Sequence, residues 1–346
     1  MNSIREDHHE VRLVRHPDGG LRESDLEVVG APMPVMRPGC VLVRTTHLSI
    51  DAAVRLRLDP VSPPGYLPAF APGDVLAGLA VGVVVESDAA GFAPGDVVQH
   101  AQGYRTFAVV DPSDAALGGA GSLTLLDPAL APPEVHLGLL GGTGLTAWAG
   151  LHAVAAIRPD DTVWVSAAAG AVGSVAAQLA RLHGCRVIGS AGGPEKAAHL
   201  VDRLGLAAGV DRRGDLAAAM AAAAPDGIDV YFDNVGGDHL RVALDLMRPF
   251  GRIALCGAID GYDDGAAATP DNLFLATSKN LTLRGFRAGA FADRFDEARA
   301  ELAALWRSGD LELELAVHHG LDAAPRAIVD LLAGRNTGKC VVTLDA

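Results

Sequence analysis

The most constraining stretch of this chain runs from Thr162 to Gly205. It reads as TVWVS, a turn of small residues, the helix-like VGSVAAQLARLHG, the apolar CRVIGSA and the amphipathic PEKAAHLVDRLG. Strand and helix alternate, and parallel strands need crossover helices, so this order predicts a parallel sheet covered on both faces. IDVYFD, a helix near Asp238 to Met247, GRIALC and LTLRGF continue the rhythm. The expected fold class is therefore α/β, with a doubly wound Rossmann sheet as its centre. Before it, VRLVR, VLVRTTHLSID and LAVGVVVES are Val-, Leu- and Thr-rich runs between Pro and Gly clusters, which predicts a strand-rich domain. A polar helix over about 294–307 and a return to β character in CVVTL suggest that the tail rejoins that domain. The expected boundaries are 1–130, 131–305 and 306–346.

Inside VSAAAGAVGSVAAQLARLHG, Ala168, Gly170 and Gly173 take the spacing of the dinucleotide fingerprint, with alanine in the first glycine position. Gly170 lets backbone approach a pyrophosphate and Gly173 lets the helix pack on the sheet, while the helix N-terminus offers unpaired N–H groups. Val172, Val175, Ala176, Leu179 and Leu182 predict one buried helix face, and Gly184 a C-terminal cap. The second strand ends Ser190, Ala191, Gly192, Gly193, without the carboxylate that NAD sites use for the ribose 2′-hydroxyl. Lys196, Arg212 and Arg213 follow, so cations can surround a 2′-phosphate, which favours NADP (NADPH); the alternative is that they are solvated surface charges.

Composition excludes several classes. A formal charge of −14, with no basic run, opposes nucleic acid or an anionic membrane as partner. Four scattered cysteines, none in a CxxC pair, argue against a disulfide framework and for a reducing cytoplasmic home. MNSIREDHHE has no apolar core, so no secretory signal is expected. The uncharged run from Val135 to Ile157 is interrupted by LLGGTG, which argues against a membrane span. AAAMAAAAPDG reads as a surface helix and carries no functional claim.

No metal is expected. Cys40 is the only cysteine of the N-terminal part, His8 and His9 fall in a charged leader, and neither His47 nor His100 has ligand spacing. Without a Lewis acid, an activated alkene is a more accessible hydride acceptor than a ketone. Hydride adds to the β-carbon of an enone, charge moves to the carbonyl oxygen, and one hydroxyl donor suffices to stabilise it.

Taken in order, LSIDAAVRLR, GLLGGTGLTAWAGL, the Rossmann turn, YFDNVGG, GRIALCGAI and GRNTGK resemble the zinc-independent medium-chain dehydrogenase/reductase superfamily, in its prostaglandin reductase and alkenal/one oxidoreductase family. The resemblance implies a GroES-like catalytic domain around a Rossmann domain, NADPH-dependent reduction of α,β-unsaturated ketones or aldehydes, and a homodimer joined through sheet edges. It puts Gly170, Ala171, Val172 and Gly173 on the pyrophosphate, and Gly193, Lys196 and Arg212 near the adenosine phosphate. Asn234, Cys256, Gly257, Ala258, Ile259, Tyr262, Phe286 and Asn336 line the rest of the cofactor site, with Thr146 near the nicotinamide. Tyr262 is the implied catalytic donor, the alternative being a loop tyrosine that only covers the cofactor.

Arg212 stands where the family usually has tyrosine, Ala52-Ala53 where it often has Pro-Tyr, and FRAGAF where a more aromatic or aliphatic segment is common. A wider substrate pocket, or an unusual substrate, is the expected consequence. Competing functions are a quinone oxidoreductase and a nucleotide-binding protein without turnover.

Overall fold

The computed structural model describes residues 7–114, 123–262 and 269–344. The chain divides into two compact units, one of Met1–Leu137, Leu315–Arg335 and Cys340–Ala346, the other of Gly138–Glu314 and Asn336–Lys339.

The first unit opens with an antiparallel pair, β1 (His8–Leu13) and β2 (Leu26–Ala31). His8 and His9 thus belong to a strand and not to a charged leader; His8 is buried and lies 3.2 Å from Glu10. There follow β3 (Val41–Ile50), β4 (Ala80–Ser87), β5 (Val97–His100), β6 (Phe107–Val110), β7 (Leu123–Leu125) and the short α1 (Pro133–Leu137). The apolar alternation of β3 sets Val41 and Val43 into one cluster with Val84, Val98 and Val110, and Leu48 and Ile50 into another.

The second unit holds α2 (Gly142–Trp148), β8 (Thr162–Val165), α3 (Ala171–Leu182), β9 (Arg186–Ala191), α4 (Pro194–Asp202) and β10 (Ala208–Asp211). It continues with α5 (Leu216–Ala223), β11 (Ile228–Asp233), α6 (Gly237–Leu246), β12 (Met247–Leu255), α7 (Phe274–Ser278), β13 (Thr282–Gly285) and α8 (Phe295–Ser308). Its six strands run in the order β10-β9-β8-β11-β12-β13, all parallel. That order reverses direction between β8 and β11, the switch point where ligands of such sheets bind. The edge strand β10 falls on residues that read in sequence only as a short apolar segment. Trp164 is fully buried between layers, its indole donating to Ser190 Oγ at 3.1 Å and its ring 4.6 Å from Tyr231.

The buried side of α3 is Gly173 to Ala180, including Ser174 and Gln178, whereas Val172 is half-buried and Leu182 exposed. The uncharged run from Val135 is broken after α1, resumes as α2 and ends in a π-helical turn (Ala149–Val154). Among the described residues no helix is long and apolar enough to cross a membrane.

The chain then returns to the first unit as β14 (Leu315–His319), α9 (Ala324–Leu332) and β15 (Lys339–Thr343). β15 pairs antiparallel with β3, and the larger sheet runs β14-β15-β3-β4-β5-β7, with β6 also on β3. Ile328 and Val342 from this tail share a core with Val11, Leu13, Leu48 and Ile50.

Candidate cofactor and active site

At the switch point β8 gives way to Ser166, and Ala167 takes a left-handed φ of 48° before Gly170 starts α3. Gly170 N donates to Ala167 O at 2.9 Å, closing a tight turn. A side chain on Gly173 would collide with that same Ala167 carbonyl, so the helix approaches the turn as closely as backbone allows. Ala171, Val172 and Gly173 supply the first-turn amides, which have no carbonyl within the helix to bond. This leaves donors and the positive end of the helix dipole for an anion.

The strand-end loop beyond β9 forms a second corner of the candidate site. Gly193 has φ 101°, a conformation glycine adopts without steric cost, and it precedes Pro194 at the start of α4. Lys196, in the first turn of α4, donates to the Asn336 carbonyl. Burial, then Arg213 and Arg212, hold the Lys196 ammonium below its ordinary pKa. Arg212 Nε approaches to 3.6 Å of where a Gly192 Cβ would sit. Asn336 Nδ2 bonds Gly338 O at 3.1 Å, and Gly338 N bonds Ala169 O at 2.8 Å, so residues 336–338 lie along the phosphate turn. The residues present fit a dinucleotide bearing an extra phosphate: a tight turn with free helix N-terminal amides, Arg212 and Arg213 against Gly192 and Gly193, and Lys196 in the first turn of α4.

The third corner is organised by Asp233, the buried last residue of β11. Its Oδ1 accepts from Tyr231 Oη at 2.8 Å, Val235 N at 2.9 Å and Gly236 N at 2.8 Å. Burial raises its carboxyl pKa, and those backbone donors oppose the rise. Its carbonyl accepts from Cys256 N and Gly257 N at 2.8 and 3.0 Å. Asn234 is fixed at both ends, N to Ser166 Oγ at 2.9 Å and Nδ2 to Ser166 O at 2.7 Å, while its carbonyl takes Ile259 N at 3.2 Å. Ala258 touches this turn through Gly236, whose Cβ position lies 3.2 Å from the Ala258 methyl. The hydroxyl of Tyr262 reaches within 3.4 Å of the Gly257 Cβ position, so it stands over the cofactor-side turn. Burial, then Asp233, pushes the Cys256 thiol up to about 12.

Two further expected residues have other visible work. Thr146 Oγ1 donates to Gly142 O at 2.6 Å, which leaves its oxygen lone pairs available to a ligand. The Phe286 ring packs edge-on to Phe232 at 6.2 Å and fills the space left by Gly150. Sequence reasoning did not single out Ser166, Asp211 or Asp233. The carboxylate at the end of the apolar run VYF in the strand IDVYFD was the available signal for Asp233, because a buried charge needs dedicated partners. Among the described residues no group of three or more His, Cys, Asp and Glu side chains is arranged to hold a metal ion.

Residues 9–117 match the family model described as N-terminal domain of oxidoreductase, and 171–304 the one described as Zinc-binding dehydrogenase. The chain is 34% identical over 338 residues to the 2-alkenal reductase (NADP(+)-dependent) of Nicotiana tabacum, covering 96% of each. It is 34% identical over 334 residues to prostaglandin reductase 1 of Bos taurus, covering 95% of this chain and 97% of the relative. The crystal structure of CurA from Vibrio vulnificus in complex with NADPH superposes with a TM-score of 0.89 at 31% identity, covering 98% of this chain and 99% of that one.

Proposed function

Because this chain belongs to the zinc-independent medium-chain dehydrogenase/reductase family of prostaglandin reductases and alkenal/one oxidoreductases, we propose that it reduces the carbon–carbon double bond of α,β-unsaturated ketones or aldehydes with NADPH. The observation that carries the reading is the phosphate cradle at Gly170 to Gly173, with Lys196 and Arg212 at its adenosine end and no carboxylate closing β9. The first unit serves as the GroES-like catalytic domain and the second as the Rossmann domain.

NADPH supplies a hydride when bound. The chain's part is to orient and to manage charge. Asn234 and the Cys256 to Ile259 turn are locked to Ser166 and Asp233, so they form a preorganised wall. Addition at the β-carbon sends the alkene electron pair to the carbonyl oxygen. Tyr262 Oη is the donor to that enolate oxygen, and delivery of its proton to the α-carbon, directly or through the enol, completes the saturated product. Ala52 and Ala53, both half-buried, lack the bulk of the usual Pro-Tyr, which favours larger enones.

The protein is a homodimer joined through β13. That strand ends the Rossmann sheet, and Thr282, Arg284 and Gly285 are exposed along it. A reducing compartment such as the cytoplasm fits its four cysteines, none of which is in a disulfide.

Cofactor oxidation followed with NADPH and NADH across enones, quinones and simple ketones tests the activity. Turnover on enones with NADPH, and deuterium from labelled cofactor found at the β-carbon, is the expected result. Turnover on quinones alone, or cofactor binding without oxidation of any acceptor, overturns it. Rejection of enones of increasing bulk counts against the wide pocket.

A further inference from the structure

We infer that Arg213, held in place by Asp211, is the residue by which this chain distinguishes a 2′-phosphorylated cofactor from an unphosphorylated one; the inference rests on the NADPH reading above. β10 ends at Asp211, and its Oδ1 accepts from Gly193 N at 2.7 Å and from Arg213 N at 3.0 Å. One carboxylate oxygen therefore ties the loop after β9 to the loop after β10. The consequence is the position of the Arg213 guanidinium. A Cβ on Gly193 would lie 3.0 Å from its Nη1, and one on Gly192 would lie 3.8 Å from its Nε. Arg213 lies against the Gly192–Gly193 platform, whose glycines put no side chain between the guanidinium and the loop backbone.

Arg213 and Arg212 are exposed, and among the described residues neither side chain makes a hydrogen bond or ion pair. Their donors face a loop with no side chain of its own, beside Lys196. A planar guanidinium suits a phosphate better than an ammonium does, because it can offer two parallel N–H groups.

Asp211 reverses the usual role of an acidic residue in this region. In NAD-specific folds the carboxylate ends the second strand and accepts from ribose hydroxyls. Here that position is Ala191, and the acid lies one strand further out, with Oδ1 accepting from two backbone amides. The backbone bonds from Arg213 and Gly193 hold its carboxyl below the usual range, so it stays ionised and keeps both amides. Asp211 is thus a positioning residue for the cation that reads the phosphate.

The test is calorimetric binding of adenosine 2′,5′-bisphosphate and of ADP to the full-length chain, with no substrate present. Arg213→Gln is expected to weaken the bisphosphate tenfold or more while ADP stays within twofold, which also reports that the cradle is intact. Asp211→Ala should lose a similar factor on the bisphosphate, whereas Asp211→Asn, which keeps an acceptor oxygen, should recover most of it. An unchanged ratio of the two affinities in Arg213→Gln overturns the inference, as does an Asp211→Ala variant that behaves like the parent. If the parent chain itself shows no preference for the bisphosphate, the NADPH reading falls first.

Discussion

Ala168 stands where the dinucleotide fingerprint carries its first glycine, and the fold accommodates it with Gly189 on the neighbouring strand. A side chain on Gly189 would put its Cβ 2.8 Å from the Ala168 methyl. The glycine has in effect moved across to β9, and the turn keeps its shape. Tyr262 is the proposed proton donor. Tyr262→Phe keeps the ring over the Gly257 turn and removes the proton donor. A fall of about 10²- to 10⁴-fold in kcat, with NADPH affinity unchanged, is expected from stopped-flow and binding measurements; retention of most turnover would leave Tyr262 as a cover only. His239 carries a pH signature. Burial, then Arg212, depresses its pKa to about 4 from 6.5. Between those values the unfolded chain binds the proton and the folded chain does not, so stability is lost as pH falls from 6.5 toward 4. In urea titrations across that window, His239→Gln should flatten the pH slope by up to about 1.4 kcal/mol per pH unit. An unaltered slope would show that His239 protonates freely in the fold.

At the scale of elements, α3 does more than present its N-terminus. Gln178, buried on its sheet side, donates to Glu312 O at 3.0 Å and accepts from Glu312 N at 3.0 Å, a two-point bond to a segment 134 residues away. That segment continues through Glu314, whose carboxylate lies 2.7 Å from His199 of α4 and whose carbonyl accepts Lys339 N at 2.7 Å. The two helices that build the phosphate site are thus fastened to the chain on either side of β14 and α9. Gln178→Leu keeps the volume but leaves the Glu312 amide without its partner. A loss of about 1–3 kcal/mol in the unfolding free energy from denaturant titration is expected, and a neutral result would mean that water replaces the side chain. The strands and helices of the second unit were legible because small apolar strands and amphipathic helices alternate with clear breaks. β10 was not, since AGVD is too short for a period and becomes a strand only by pairing with β9.

For the whole molecule, the same logic separates what is local from what is assembled. The chain's return is built into the core of the first unit: Ile328, Cys340 and Val342 pack with residues from Val11 to Tyr104. Assembly in solution is the matching prediction. Sedimentation velocity should give a dimer, and Leu283→Pro, which removes a ladder donor from β13, should shift it to monomer at low micromolar concentration. A dimer unaffected by that change would place the interface elsewhere.

The sequence by itself determined the class of fold, the glycine turn, the order of the Rossmann elements and, through motif resemblance, the cofactor. These are properties of short segments, and local spacing of glycines, apolar residues and charges is enough to specify them. Only the tertiary structure decided which distant groups share a place. Asp211 meets the amide of Gly193, the Asp233 carbonyl meets the amides of Cys256 and Gly257, and Gln178 holds Glu312. A hydrogen bond across a strand order reversed at β8 has no period in the sequence, because the distance that matters is set by sheet register and not by position along the chain.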